Sequence, residues 1–401
     1  MSATASGAAG WPRRVAGHTL FWPTAALVLL LVACAIASPG FLDVTLRDGA
    51  LVGQPIDLLR NSVTPLLLAL GMCLVIATGG IDLSVGAVMA ISLAVSLTYL
   101  DRAADPSAPG TVATAVVLGL LLGVAVGAFN GTLVTVLGVQ PFIATMILMV
   151  AGRGIAMLIT KGQITTVTSP PFKALGAGSV LGLPQAVVIG AVVFALVALV
   201  VRRSALGVLL EAIGVNRESA RLSGVRARST TWTVYVLAGV LAALAGIIYG
   251  APTMAADANN IGLFFELNAI VVVVLGGTKL DGGRFYLSGL VVGALLLTTI
   301  ERAVIIFQLP STTTNLFKAA VLIALCVAAS PRARGWLARR RTASSGPRRP
   351  EAAAARPSSA SSSAASSSSS SASAPSTRSA PSAMTSPLAP RPSATAKEVG
   401  A

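Results

Sequence analysis

The sequence predicts an all-α, polytopic membrane protein with about ten transmembrane helices and a disordered C-terminal tail. Three observations carry this. Hydrophobic residues make up 54% of the 401 residues and charged residues only 11%, against roughly 25% charged in soluble domains. Mean hydropathy is +0.82 although the C-terminal stretch is polar. And in Ala77–Ala90 two apolar runs meet with only Gly79, Gly80, Asp82 and Ser84 between them. A glycine pair turns the backbone without a Cβ penalty, and Asp82 is placed to cap the following helix. A turn this short between such apolar runs belongs inside a bilayer.

A helix needs about 20 apolar residues to cross the hydrocarbon core. Candidate spans, in order, are 20–38, 62–78, 83–100, 111–137, 141–160, 180–201, 231–252, 263–278, 285–308 and 312–330. Arg13 and Arg14 precede the first, and Ala35-Ile-Ala-Ser38 loosely resembles a cleavage site. Its apolar run, Leu20 to Ala37, exceeds a usual signal-peptide core, so a retained helix is expected. The second and eighth spans are short; the fourth and ninth are long enough to tilt or to contain a break.

The arginines support the helix count through the positive-inside rule. With a cytoplasmic N-terminus (residues 1–19), the loop 202–230 is cytoplasmic and holds Arg202, Arg203, Arg217, Arg221, Arg226 and Arg228. The C-terminal segment 331–401 is cytoplasmic too and opens with Arg332, Arg334, Arg339, Arg340 and Arg341. Loops assigned to the other side are poor in cations. The net charge of +15 therefore reads as cytoplasmic loops and tail, and no basic, aromatic-interleaved soluble domain exists to bind nucleic acid. Residues 20–330 form the transmembrane domain. The tail 331–401 is basic and Ser/Ala/Pro-rich, and from Arg341 it cannot bury enough apolar surface to offset ordering.

Gly119, Gly123, Gly127 and Gly131 recur once per turn on one helix face. Lipid gives no hydrophobic drive for helix association, so this ridge predicts close backbone packing. Gly289 and Gly293 repeat the spacing. Trp232 and Tyr286 near one set of helix ends, and Tyr99 and Tyr249 near the other, fit an interfacial aromatic belt. Cys34, Cys73 and Cys326 lie in apolar segments with no metal-site spacing, and His18 stands alone, so no metal site is expected.

Charges in membrane helices are costly and their places informative. Arg153, Glu266, Glu301, Arg302 and Lys318 fall in the outer halves of their spans, which points to a hydrated outer vestibule or a ring of ion pairs near the outer face; the alternative is snorkelling plus local pairing, for example Glu301 with Lys318. Asp82 falls near an inner end. A mid-membrane acid–base chain is missing. No phosphate loop occurs, because Gly276–Gly283 lacks the spacing and the following Ser or Thr and reads as a hairpin turn. No nucleophile–base pair stands out, so the chain is not expected to be an enzyme or to hydrolyse ATP alone.

The cytoplasmic stretch Gly207–Arg226 is polar yet helix-compatible. Asn216 is placed to cap a short helix with Ser219 at its third position, and Gly224 to end it. Ala220 and Leu222 supply apolar contacts among Arg217, Glu218 and Arg221, which suits docking of a partner.

Four stretches in order then carry a family resemblance: Ala77–Ala90, Val139–Thr145 with Gly152-Arg-Gly154, Glu211–Gly224, and Gly276–Gly293. Over residues 20–330 the chain resembles the permease subunit of bacterial ABC sugar importers of the ribose type. Through Leu148–Gly154, Gly162-Gln-Ile164 and Ala256–Asn260 it resembles in particular the galactofuranose importer permeases. The resemblance implies a multi-pass inner-membrane protein that moves a monosaccharide by alternating access. It implies a second permease copy or paralogue, an extracytoplasmic sugar-binding protein, and a cytoplasmic ATPase. This chain would then hold no cofactor, ATP and Mg being bound by the ATPase. By position, Glu211, Gly214, Asn216, Arg217, Ala220, Arg221 and Gly224 fall in the ATPase-coupling loop. Gly79, Gly80, Asp82 and Ser84 fall in the membrane signature, read as an inner-gate element. With aromatics at 5%, the pathway is expected to pass a sugar without holding it firmly. The alternatives are an ion-coupled secondary carrier, with Asp82 and Asn130 as candidate ion ligands, and an ABC permease for amino acids.

Overall fold

The computed structural model describes residues 20–308 apart from Asp48, together with Pro310 and six residues between Leu316 and Ala324. The N-terminal segment with His18, most of the span 312–330, Cys326, and the tail 331–401 lie outside the described residues.

Nine of the ten candidate spans correspond to helices. They are α1 (Phe21–Ala37), α2 (Gln54–Ala77), α3 (Val85–Arg102), α4 (Pro109–Thr135), α5 (Pro141–Ile159), α7 (Gln185–Arg203), α10 (Ala227–Gly250), α11 (Phe265–Leu275) and α12 (Leu287–Ile306). Three short helices lie between them: α6 (Pro170–Ala177), α8 (Leu206–Val215) and α9 (Arg217–Leu222). Among the described residues, seven helices are long and apolar enough to cross a membrane by length and composition, whereas α1, α8 and α11 are shorter. Three small antiparallel β pairs complete the connections, and the sequence reading missed them: β1 (Thr45–Arg47) with β2 (Ala50–Val52), β3 (Thr165–Thr166) with β6 (Ala255–Ala256), and β4 (Ser179–Val180) with β5 (Leu183–Pro184). The Leu51 N–H donates to the Gly182 carbonyl at 2.8 Å, tying two of the pairs together. They mark a hairpin side of the molecule; α8 and α9 mark the opposite, arginine-rich side.

The second span begins two turns earlier than hydropathy indicates. Gln54–Asn61 is polar, but Pro55 in the first turn is preorganised for helix and Asp57 complements the helix dipole. The 27 residues of α4 form one unbroken helix of about 40 Å. The break expected in long spans falls elsewhere: α11 has only 11 residues, about 16 Å, roughly half the hydrocarbon core. The residues before it, 257–264, are non-helical.

The glycine ridge packs as its spacing implies. α4 runs antiparallel to α10, with Gly119 against Ile247, Gly123 against Gly239 and Ala243, Gly127 against Tyr235 and Val236, and Gly131 against Trp232. A Cβ at Gly123 would stand 2.6 Å from both the Ala243 Cβ and the Gly239 carbonyl oxygen. Two hydroxyls fasten α3 to this pair: Ser92 donates to the Ala243 carbonyl at 3.2 Å and Ser96 to the Ala115 carbonyl at 2.9 Å. Gly289 and Gly293 seat α12 on α11 in the same way, against Gly276 and Val272. Cys34 and Cys73 are buried, as their apolar setting implies.

Overpacking a filled contact costs about 1–3 kcal/mol. Gly123→Val is expected to destabilise the detergent-solubilised protein by that amount in a thermal unfolding assay. Val124→Leu, on the half-exposed neighbouring position, is expected to be neutral.

Candidate functional site

The segment after α2 builds the first part of the site. Thr78, Gly79 and Gly80 donate their N–H groups back to α2 carbonyls, so the helix ends in a tight turn with Gly79 at φ +81°. That left-handed conformation is open to glycine at little cost. Asp82 then accepts from the Ser84 N–H at 2.9 Å and from the Ser84 hydroxyl at 2.6 Å. It closes a local turn rather than capping α3, whose N-cap residue Ser84 makes no side-chain cap. Asn130 of α4 donates to the Ser84 oxygen at 2.8 Å. Asp82 and Ser84 are 2% and 0% exposed.

Gly79 of this turn lies against Gly282, which itself packs on Gly214 of α8. α3 and α10 run side by side in one direction, Gly246 against Met89 and Gly250 against Leu93. A Cβ at Gly80 would stand 2.7 Å from the Tyr235 hydroxyl oxygen. Tyr235 lies eight residues after Ala227, the first residue of α10.

The second part is the loop Gly207–Arg226. It folds as α8 and α9 with Asn216 extended between them. Asn216 caps α9 by accepting from the Ser219 N–H at 2.9 Å, and Gly224 follows its end with φ +85°. Ala220 faces inward against Ile213 and Ala227, not outward as a docking contact. Leu222, Arg217, Glu218, Arg221 and Gly224 make the exposed face. Arg221 holds Glu218 by a 2.6 Å ion pair, which lowers the Glu218 carboxyl below its ordinary value. A depressed carboxylate keeps this interaction above its unfolded pKa and loses it as pH falls through the folded one. The pair is therefore charged at neutral pH.

Gly214 joins the two parts. It packs directly on the Ala77 carbonyl and the Gly283 backbone, leaving no room for a Cβ. The Gly283 N–H donates to the Ala77 carbonyl at 3.0 Å. Gly282, at φ +86°, lies with its Cβ position 3.0 Å from the Gly214 carbonyl oxygen and 3.1 Å from Gly79 N and Cα. Three remote chain segments thus meet backbone to backbone: the end of α2, the end of α8, and the α11–α12 loop. Glu211 also belongs to this junction through its carbonyl, which faces the Gly283 position. Beside it lies an open cleft of about 790 Å³, lined by Gln140, Arg217, Glu218, Arg221, Arg226 and Arg228 among others.

The five charges assigned to an outer vestibule do not form one ring. Lys318 and Glu301 pair at 2.6 Å, which is the local-pairing alternative. Arg302 donates to the Gln54 side chain at 3.3 Å. Arg153 donates to the carbonyls of Ala258, Asn259 and Ile261 at 3.4, 3.0 and 3.3 Å, satisfying part of the unwound stretch before α11. Non-helical backbone at membrane depth persists only where such groups are satisfied. Glu266 is 7% exposed and presses on Gly86. Among the described residues no cluster of His, Cys, Asp and Glu could hold a metal ion.

The fold and this junction define a multi-pass membrane permease. A family model described as "Branched-chain amino acid transport system / permease component" matches residues 54–326, and the chain belongs to that permease family. It is 46% identical over 316 residues to the galactofuranose transporter permease of Escherichia coli (strain K12), covering 78% of this chain and 91% of the relative. It is 37% identical over 326 residues to the fructose import permease of Bifidobacterium longum (strain NCC 2705), covering 80% and 90%. It is 34% identical over 302 residues to the ribose import permease of Escherichia coli (strain K12), covering 74% and 89%. No solved structure matches the chain.

Orphaning buried donors costs about 1–3 kcal/mol. Asp82→Leu leaves the Ser84 N–H and hydroxyl without their acceptor, and is expected to destabilise the purified protein by at least that in denaturant or thermal unfolding. Asp82→Asn keeps an oxygen acceptor and is expected to cost less than half as much.

Proposed function

We propose that the chain is the membrane subunit of an ATP-driven importer that moves a monosaccharide into the cell by alternating access. The observation that carries this reading is likeness, over about nine tenths of their length, to permeases named for galactofuranose, fructose and ribose. The family description names branched-chain amino acids, but these relatives are all sugar permeases, which favours the sugar.

In this reading the arginine-rich side faces the cytoplasm, as do both termini, in keeping with the positive-inside rule. A separate ATPase subunit binds ATP and Mg and docks on the exposed face of α9. The cleft beside α9 has four arginines and one glutamate in its lining, a charge that fits an acidic partner surface. An extracytoplasmic sugar-binding protein delivers solute on the hairpin side, and a second permease copy or paralogue completes the pathway. The tail from 331 is a cytoplasmic extension.

The mechanism rests on the glycine junction. A push or pull on α9 reaches α8 through the capped Asn216 turn. α8 bears on Ala77 and Gly283 through the Gly214 backbone, where no flexible side chain can absorb the motion. The load therefore passes to the end of α2, to the Gly79–Ser84 turn, and to the loop that carries α11 and α12. The Asp82, Ser84 and Asn130 bonds hold that turn as one unit, so the signature acts as a stiff inner element and not as an ion site.

The reading is tested in vesicles holding the chain with its ATPase and binding protein. Uptake of labelled galactose, ribose or fructose is expected to stop without ATP and to continue when ion gradients are collapsed at constant ATP. Dependence on the gradients instead would establish a secondary carrier, and uptake of leucine in place of sugar an amino-acid permease. Gly214→Val is expected to insert normally yet lower uptake at least tenfold. Asn216→Ala removes a cap worth about 0.5–2 kcal/mol and is expected to lower uptake several-fold. Wild-type uptake in both variants would contradict the coupling role.

A further inference from the structure

A second cavity opens toward the hairpin side, away from the arginine cleft. Its volume is about 340 Å³, the small end of the roughly 300–1,000 Å³ of small-molecule sites. It lies within one chain, walled by α2, α10, α11 and α12 with contributions from α6 and α7.

Its lining has a definite chemistry. Asn61 and Asn268 face it from α2 and α11, and neither carboxamide has a hydrogen-bond partner among the described residues. Each offers donors and an acceptor together. Pro65, one turn on from Asn61, has no N–H to give the Asn61 carbonyl and also lines the space. Tyr249 and Phe265 form one corner, edge to face, with ring centroids 5.1 Å apart. Tyr249 thus serves this cavity and not only the aromatic belt. The two charged groups at the rim are already neutralised: Arg60 pairs with Asp57 at 3.0 Å and Glu301 with Lys318 at 2.6 Å.

We propose that this cavity is a solute site in each permease chain that takes an uncharged, polyhydroxylated ligand, a monosaccharide. Hydroxyl groups that both donate and accept match free carboxamides, and the C–H face of a sugar ring matches the aromatic corner. An amino acid would need an unpaired cation and an unpaired anion, which the paired Arg60 and Glu301 do not supply. An anion or cation would meet the same obstacle. With one aromatic corner the hold is weak, as transit requires.

The site is placed to sense the coupling junction. Phe265 and Asn268 are three residues apart and share a face of α11. The other end of this half-helix runs into the loop whose Gly282 and Gly283 meet Gly214 and Ala77. A single rigid element of about 16 Å separates the cavity from the surface that bears on α8.

This inference rests on the importer reading, and its test separates the two. The probes are labelled galactose, ribose and fructose, with leucine as control, in vesicles holding the chain with its ATPase and binding protein. Asn268→Leu is expected to lower sugar uptake about tenfold, the size of one lost hydrogen bond, with co-purification of the ATPase unchanged. Asn268→Gln is expected to recover at least a third of uptake. In a background without Cys34, Cys73 and Cys326, Asn268→Cys is expected to react with a membrane-impermeant thiol reagent from the binding-protein side. An excess of the transported sugar, but not leucine, is expected to slow that reaction at least threefold. Full uptake by Asn268→Leu, or labelling of Asn268→Cys that sugar does not slow, would overturn the cavity assignment while leaving the importer reading intact. Absence of sugar uptake by the unaltered complex would overturn both.

Discussion

One backbone contact organises this molecule. The Gly283 N–H meets the Ala77 carbonyl at 3.0 Å, and Gly214 fills the angle between them so closely that no side chain fits. Through that point the amphipathic segment α8–α9, the end of α2 and the α11–α12 loop become one mechanical unit. Each lies far from the others in sequence. A junction built of side chains would have rotamers to absorb a displacement; one built of backbone has almost none. In the proposed mechanism a solvent-exposed helix of six residues, α9, acts through this contact on the end of α2 and on the α11–α12 loop.

Above the junction the same physics recurs. Lipid offers no hydrophobic reward for packing helices together, so the fold relies on close approach and on internally satisfied polar groups. Glycines let α4 meet α10 and α12 meet α11 at backbone distance. Ser92 and Ser96 spend their hydroxyls on neighbouring helix carbonyls. Arg153, which reads as a vestibule charge in the sequence, instead supplies donors to three carbonyls of the unwound stretch before α11. That makes a half-length helix tenable, and the half-length helix in turn leaves space for a polar cavity between α2, α10 and α12.

Much of the architecture was legible in the sequence because membrane helices are constrained in length and composition. The apolar spans, the Gly119–Gly131 ridge and the Asn216 cap each follow from local rules. The rest required long-range placement. Nothing near Gly214 announces that its partner is Gly283, because the contact is between backbones and carries no residue-type signal beyond glycine itself. The polar start of α2 hides from hydropathy, since Gln54–Asn61 gains its helix from Pro55 and Asp57. Ala220 points inward and Leu222 outward, a difference that periodicity alone could not fix in a helix of six residues. Asn61 and Asn268 drew no attention in the sequence because a lone amide in an apolar span has no spacing pattern. A polar residue in the break beside Pro65, or in a span too short to cross, was the signal available.

The coupling mechanism requires the junction to be tight in the working protein. Hydrogen exchange at the Gly283 amide, followed in the assembled complex by mass spectrometry, reads it directly. This amide is expected to be strongly protected in the native chain, comparable to the buried core of α2, and to exchange at least a hundredfold faster in Gly214→Val. Rapid exchange in the native complex, or unchanged protection in Gly214→Val, would contradict this mechanism.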